Sequence, residues 1–182
     1  MSKREKSVEL LEFFTLAFMR PTEEWVKEIE SLLEKVRERW PQADLRVEDP
    51  HLMNQEYVRL FRFGKEIPCP PYESVYRTED KVLMSHLAVD VQDRMRAFGV
   101  DVSDEFKDLP EHISAELEFL RYLYLLGEEE ALEEARSFLE DHLLQWVPQF
   151  CECVRTNSRV DFYREVCALL PEFLREEFEA LR

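Results

Sequence analysis

At 182 residues the chain suits one folded unit, long enough to bury a sizeable core. Lysine and arginine total 24 against 40 acidic residues, a formal charge of −16, which argues against nucleic acid or an anionic membrane as the main partner and favours basic peptides. No basic segment followed by an apolar run and a small-residue cleavage site opens the chain, and no apolar run approaches the roughly 20 residues that span a bilayer, so stable membrane insertion is not expected and the cytoplasm is the expected location.

Ser7 to Met19 carries Val8, Leu11, Phe14 and Phe18 at helical spacing, and Pro21 ends that segment. Thr22 caps a second helix, whose Trp25, Ile29, Leu32, Leu33, Val36 and Trp40 trace one face before Pro41; the two read as an antiparallel pair. Residues 41–53 read as a loop into a helix near Asn54 to Phe63. From Phe63 to Tyr76, Gly64, Pro68, Pro70 and Pro71 dictate an extended, stiff loop. Such a loop presents Tyr72, Ser74 and Tyr76, which alternate between two surfaces if it stays extended and cluster if a helix starts at Ser74.

Thr78 or Asp80 starts the next predicted helix, running through Phe98 with Val82, Leu83, His86, Leu87, Val91 and Met95 along it, and Gly99 closes it. His86 reads as a core histidine. The stretch from Leu109 to Gly127 is the predicted centre of the fold. Asp108 caps it, Pro110 suits its first turn and Glu111 can reach back to free backbone N–H groups. Ile113, Leu117, Leu120 and Tyr124 repeat along it, flanked by Phe119, Leu123, Leu125 and Leu126, with Gly127 as the stop. Glu128 to Val147 reads as another helix, with Phe138, His142 and Trp146 on one side, and Pro148 kinks or ends it. A last helix covers Val160 to Leu181, its tail from Arg175 a solvated charged run. The whole chain, residues 1–182, thus reads as a single all-α helical domain.

Chemistry-bearing patterns are few. His112 and Glu116 lie four apart on one face, and the positive end of the helix disfavours an imidazolium at His112. The plain alternative is that Glu111 only caps, Glu116 faces solvent and His112 satisfies a nearby backbone group. No phosphate-binding glycine loop, His-Glu-x-x-His helix, Cys-x-x-Cys pair or nucleophile elbow occurs, so neither catalysis nor a bound cofactor or metal is expected. A small metal- or ligand-dependent enzyme built on His112, Glu116 and His142, or a helical scaffold subunit, are the rival readings. Cys69, Cys151, Cys153 and Cys167 read as free, mostly buried thiols.

The string Leu109-Pro110-Glu111-His112-Ile113, followed by Glu116-Leu117-Glu118-Phe119-Leu120, resembles the Pro-Asp-His segment of the TorD/DmsD/NarJ family of redox enzyme maturation proteins. The same order of features runs through Glu56 to Phe61, Pro70-Pro71-Tyr72-Glu73-Ser74-Val75-Tyr76, His142 to Trp146 and Phe162-Tyr163, with Glu111 in place of the family's usual aspartate. The resemblance implies an all-helical bundle of the TorD-like type and a cytoplasmic chaperone for an apo molybdopterin oxidoreductase catalytic subunit. Its expected ligand is that subunit's N-terminal or twin-arginine leader. The implied peptide-binding residues are Tyr72, Ser74, Tyr76, Glu111, His112, Glu116, His142 and Trp146. A monomer or a domain-swapped dimer is expected.

Overall fold

The computed structural model describes residues 2–62 and 66–182. It is an all-α bundle: α1 (Lys3–Ala17), α2 (Glu23–Arg39), α3 (Pro50–Phe61), α4 (Glu73–Arg77), α5 (His86–Ala97), α6 (Ile113–Leu126), α7 (Glu129–Phe138), a π turn (Leu139–Leu143), α8 (Leu144–Asn157) and α9 (Asp161–Ala180). α1 packs chiefly on α6 and α2, and α8 on α9. Leu117, Leu120 and Leu123 of α6 are fully buried, so the most apolar stretch of the sequence is central, as its periodicity predicts. Leu125 and Leu126 are the exception and face outward.

Several boundaries follow from local chemistry. Ser2 and Glu5 close a reciprocal capping box that starts α1 ahead of Ser7. Thr22 caps α2 as predicted, accepting the Trp25 N–H. Asp49 caps α3 and Pro50 is its first residue, so that helix begins earlier than Asn54; its expected end at Phe63 and the following Gly64 lie outside the described residues. Gly127 ends α6 at φ +65, a left-handed conformation that suits glycine, and its carbonyl accepts from Arg4.

Three predicted elements are corrected. The helix expected from Thr78 or Asp80 begins only at His86, where Ser85 caps it. Lys81 and Met84 ahead of it adopt positive φ, which breaks helical continuation and leaves Val82 and Leu83 exposed. His86 is exposed rather than core. The helix expected from Glu128 to Val147 is divided by the π turn and then continues through Pro148 to Asn157. The sulfur atoms of Cys69 and Cys153 are joined in a disulfide, while Cys151 and Cys167 are free and buried. Cys69 sits in the proline-rich loop and Cys153 on α8, a long-range approach that spacing along the chain cannot show.

Candidate functional site

The prolines at 70 and 71 hold the loop ahead of α4 extended, and it pairs with the chain entering α6. The Ile113 N–H donates to the Pro71 carbonyl at 3.0 Å and the Glu73 N–H to the Glu111 carbonyl at 3.2 Å, forming an isolated antiparallel bridge between Tyr72 and His112. This register lays the Tyr72 ring edge-on against His112, centroids 5.3 Å apart, with Phe106 against the same imidazole at 5.5 Å. Asp108 ties the rim together. Its carboxylate accepts from the Tyr72 hydroxyl at 2.9 Å and from Arg62 at 2.6 Å.

α6 starts at Ile113, later than Leu109, because the bridge occupies the residues before it. His112 is its N-cap: Nδ1 accepts the Ser114 N–H at 3.1 Å. Burial lowers the His112 pKa to about 4, against the opposing pull of the Asp108 carboxylate, so the ring is neutral near pH 7 with its proton on Nε2. That Nε2 has no hydrogen-bond partner among the described residues and lies 3.9 Å from the Asp108 carboxylate.

Glu111 does not cap the helix that follows it. It reaches across to α4, where Oε2 accepts the Ser74 N–H at 2.8 Å, while Oε1 accepts the Met84 N–H at 2.7 Å. One buried carboxylate thereby fixes the start of α4 and the end of the 78–85 turn. Ser74 and Ser85 hydroxyls complete the tie at 2.6 Å.

Behind this rim a polar chain runs inward from α5. Asp90 meets Nε2 of His142 at 2.7 Å, and Nδ1 of His142 meets the buried Glu73 carboxylate at 2.9 Å. Both ring nitrogens of His142 thus lie against carboxylates from two other helices. Glu73 in turn neighbours Glu116, whose Oε2 accepts the Trp146 indole N–H at 2.9 Å. Burial first, and the Glu73 charge second, push the Glu116 carboxyl well above its ordinary range. When protonated it donates to Glu73, which supplies the partner that Oε1 otherwise lacks. Tyr76 stacks on Trp146 at 5.7 Å. His142 belongs to the π turn, which re-aims it relative to a regular helix.

All eight residues expected from the sequence therefore gather in one region, on α4, α6, the π turn, α8 and the strand-like approaches. Ser74, Glu111, His112, Glu116, His142 and Trp146 are buried, and Tyr72 and Tyr76 are half-buried. Glu116 faces inward, not to solvent. Sequence reasoning missed Glu73, Asp90, Arg62 and Phe106. Glu73 lies inside the Pro70–Tyr76 string and was within reach of the motif; nothing along the chain marks the others. Nδ1 of His112, Oε2 of Glu116 and both ring nitrogens of His142, the side chains of the rival metal reading, already hold hydrogen bonds, and no cluster suited to a metal ion occurs among the described residues. No helix of the described residues is long and apolar enough to cross a membrane.

Comparison with known proteins adds an independent line. Residues 17–152 match the family model described as nitrate reductase delta subunit. The chain is 27% identical over 177 residues to the chaperone protein TorD of Vibrio parahaemolyticus, covering 93% of this chain and 80% of that protein. It is 24% identical over 174 residues to the TorD of Aliivibrio salmonicida, covering 91% and 79%. A crystal structure from Archaeoglobus fulgidus, described as a redox enzyme maturation protein, shares the fold with a TM-score of 0.66 at 24% identity, over 100% of this chain and 94% of that one.

Proposed function

The chain belongs to the nitrate reductase delta subunit family, the TorD/DmsD/NarJ group of maturation chaperones, and from that premise we propose that it binds the N-terminal leader of a molybdopterin oxidoreductase catalytic subunit. It holds the apo subunit in the cytoplasm until the cofactor is inserted, and it acts as a chaperone, not a catalyst. The observation that carries this reading is the rim formed by Tyr72, Asp108 and Arg62. There a carboxylate already grips a guanidinium at a half-open surface, the recognition that a leader arginine needs. An incoming arginine takes the place of Arg62 on Asp108. The buried residues Glu111, His112, Glu116, His142 and Trp146 act from behind, holding the Tyr72 loop and α4 in position.

Magnitudes put the polar contacts in second place. Exposed ion pairs contribute about 0.2–1 kcal/mol each, whereas micromolar binding needs about 8 kcal/mol. Burying three or four apolar leader side chains at about 1.5–3 kcal/mol each is the right scale before ordering costs. Calorimetric titration with the leader of a molybdopterin oxidoreductase subunit encoded beside this chain, next to the same peptide with both arginines replaced, tests the reading. Tight binding of the first and weaker binding of the second supports it. Binding of neither peptide sinks it.

A further inference from the structure

We propose that the Cys69–Cys153 disulfide is a reversible redox switch that clamps the root of the Tyr72 loop when joined and releases it when a dithiol reduces it. The clamp stands on geometry; its consequence, a change in leader affinity, rests on the leader-binding reading above. Cys69 lies three residues before Tyr72, and Pro70 and Pro71 between them fix φ, so a displacement at Cys69 carries along a stiff arm to the ring that packs on His112. The disulfide to α8 and a hydrogen bond from the Cys69 N–H to the Leu60 carbonyl at 3.1 Å hold that root to the bundle. The link spans 84 positions of chain, and all eight motif residues lie inside the span.

The surroundings of the two sulfurs suit both redox states. Cys69 is fully buried and Cys153 half-buried, so an incoming thiolate reaches the Cys153 sulfur. The S–S bond breaks, and the Cys69 sulfur leaves with the electron pair and takes a proton. The second thiol of the reductant then displaces Cys153 from the mixed disulfide. The protein gains two electrons and two protons, and the dithiol becomes a disulfide. Once reduced, the Cys153 thiol has the Pro68 carbonyl as an acceptor at 3.1 Å. The Asn157 side-chain amide, anchored on the Cys153 carbonyl at 2.9 Å, lies 3.7 and 3.9 Å from the Cys153 and Cys69 sulfurs, where it can donate weakly to either. Polar partners thus stand ready for the open state, which a purely structural cross-link does not require. On the cytoplasmic reading above, dithiol proteins are the reductants such a pair meets, and disulfides there are usually transient or redox-sensing.

The test holds the full, native chain in mixtures of reduced and oxidised dithiothreitol, then counts thiols by acid quench, unfolding and alkylation. The count is expected to rise from two to four and to return to two when the oxidised reagent is restored. Reduction should speed hydrogen exchange at the Cys69 and Glu73 amides about tenfold while α1 and α9 are unchanged, and weaken leader binding severalfold, because a loosened loop must be ordered on binding. Cys153→Ser, whose hydroxyl keeps a donor for Pro68, should show the reduced exchange pattern in either reagent; should it not fold, the two redox forms of the wild type decide. A native chain that stays joined in mixtures that open the unfolded chain overturns the switch, as do four thiols under oxidised reagent or reduction with unchanged exchange at both amides. Faster exchange with equal leader affinity in the two forms overturns the control of binding. Leader binding by neither form, with the exchange difference intact, sinks the leader reading and leaves the switch standing.

Discussion

The Glu111 carboxylate accepts the Ser74 N–H at 2.8 Å across 37 residues of chain, so the acid beside the motif histidine caps a helix other than its own. Its second oxygen takes the Met84 N–H, and both donors sit in or beside segments that carry motif residues. Replacing Glu111 by Ala strands two partly or fully buried N–H groups and is expected to destabilise the fold by about 3 kcal/mol or more. Gln, which keeps one acceptor oxygen, costs about half of that. Urea unfolding of the two variants checks the order; equal, negligible losses would show that water replaces the carboxylate freely.

His112 carries a pH signature. Its pKa falls from 6.5 to about 4 on burial, so between those values the unfolded chain binds more protons than the folded one. Stability from this group is fully present above pH 6.5 and is lost as the pH falls towards 4, amounting to about 3 kcal/mol at 1.36 kcal/mol per unit. His112→Asn keeps an N-cap acceptor but does not titrate. Unfolding measured at pH 7 and pH 4.5 should show a smaller acid loss in the variant than in the wild type; identical slopes would mean that the histidine is accessible to solvent in the native state.

Glu116 works in the opposite direction. Its carboxyl is raised by burial and by Glu73, so the folded chain binds the extra proton, and the group becomes costlier to keep buried as the pH rises above the ordinary carboxylate range. Glu116→Gln retains an acceptor for Trp146 and always supplies a donor to Glu73. It is expected to stabilise the protein at pH 8 by about 1–3 kcal/mol, with the gain shrinking towards pH 4. A loss of stability at pH 8 would show that the ionised carboxylate is the form the fold needs.

The rim makes a prediction about binding. Arg62→Ala frees Asp108, and under the leader-binding proposal it should tighten an arginine-bearing leader severalfold, about 1 kcal/mol, while leaving the arginine-free peptide unaffected. Tyr72→Phe keeps the ring against His112 and should change affinity little, whereas Tyr72→Ala should weaken it about tenfold. Calorimetry on the three variants separates these effects. Weaker binding in Arg62→Ala would assign Arg62 itself to the peptide contact.

The cysteine arrangement is checked by thiol titration of the unfolded, unreduced protein. With Cys69 and Cys153 joined, only Cys151 and Cys167 react. Reaction of all four would mean that the loop and α8 are held without the covalent link.

Helical periodicity located the core of α1, α2, α6 and α9, and the residues that stop or start them, Thr22 and Gly127, act where the sequence places them. These are local signals, carried within a turn or two of chain, and they survive without knowledge of neighbours. The 78–85 turn was not legible, because what ends helical order there is a carboxylate 27 residues away from Met84. Nor was the division of α7 from α8 at the π turn, where His142 is engaged by Glu73 and Asp90 from two other helices.

The same boundary runs through the site. By itself the sequence determined the all-α bundle, the acidic surface and the identity of the motif residues, since each depends on composition, periodicity or a short string. Only the tertiary structure decided that six of those eight residues are buried, that Glu111 serves α4, and that Glu73 and Glu116 share a low-dielectric site. Burial and charge coupling belong to pairs of residues far apart in the chain. They take their values when packing removes water from between them.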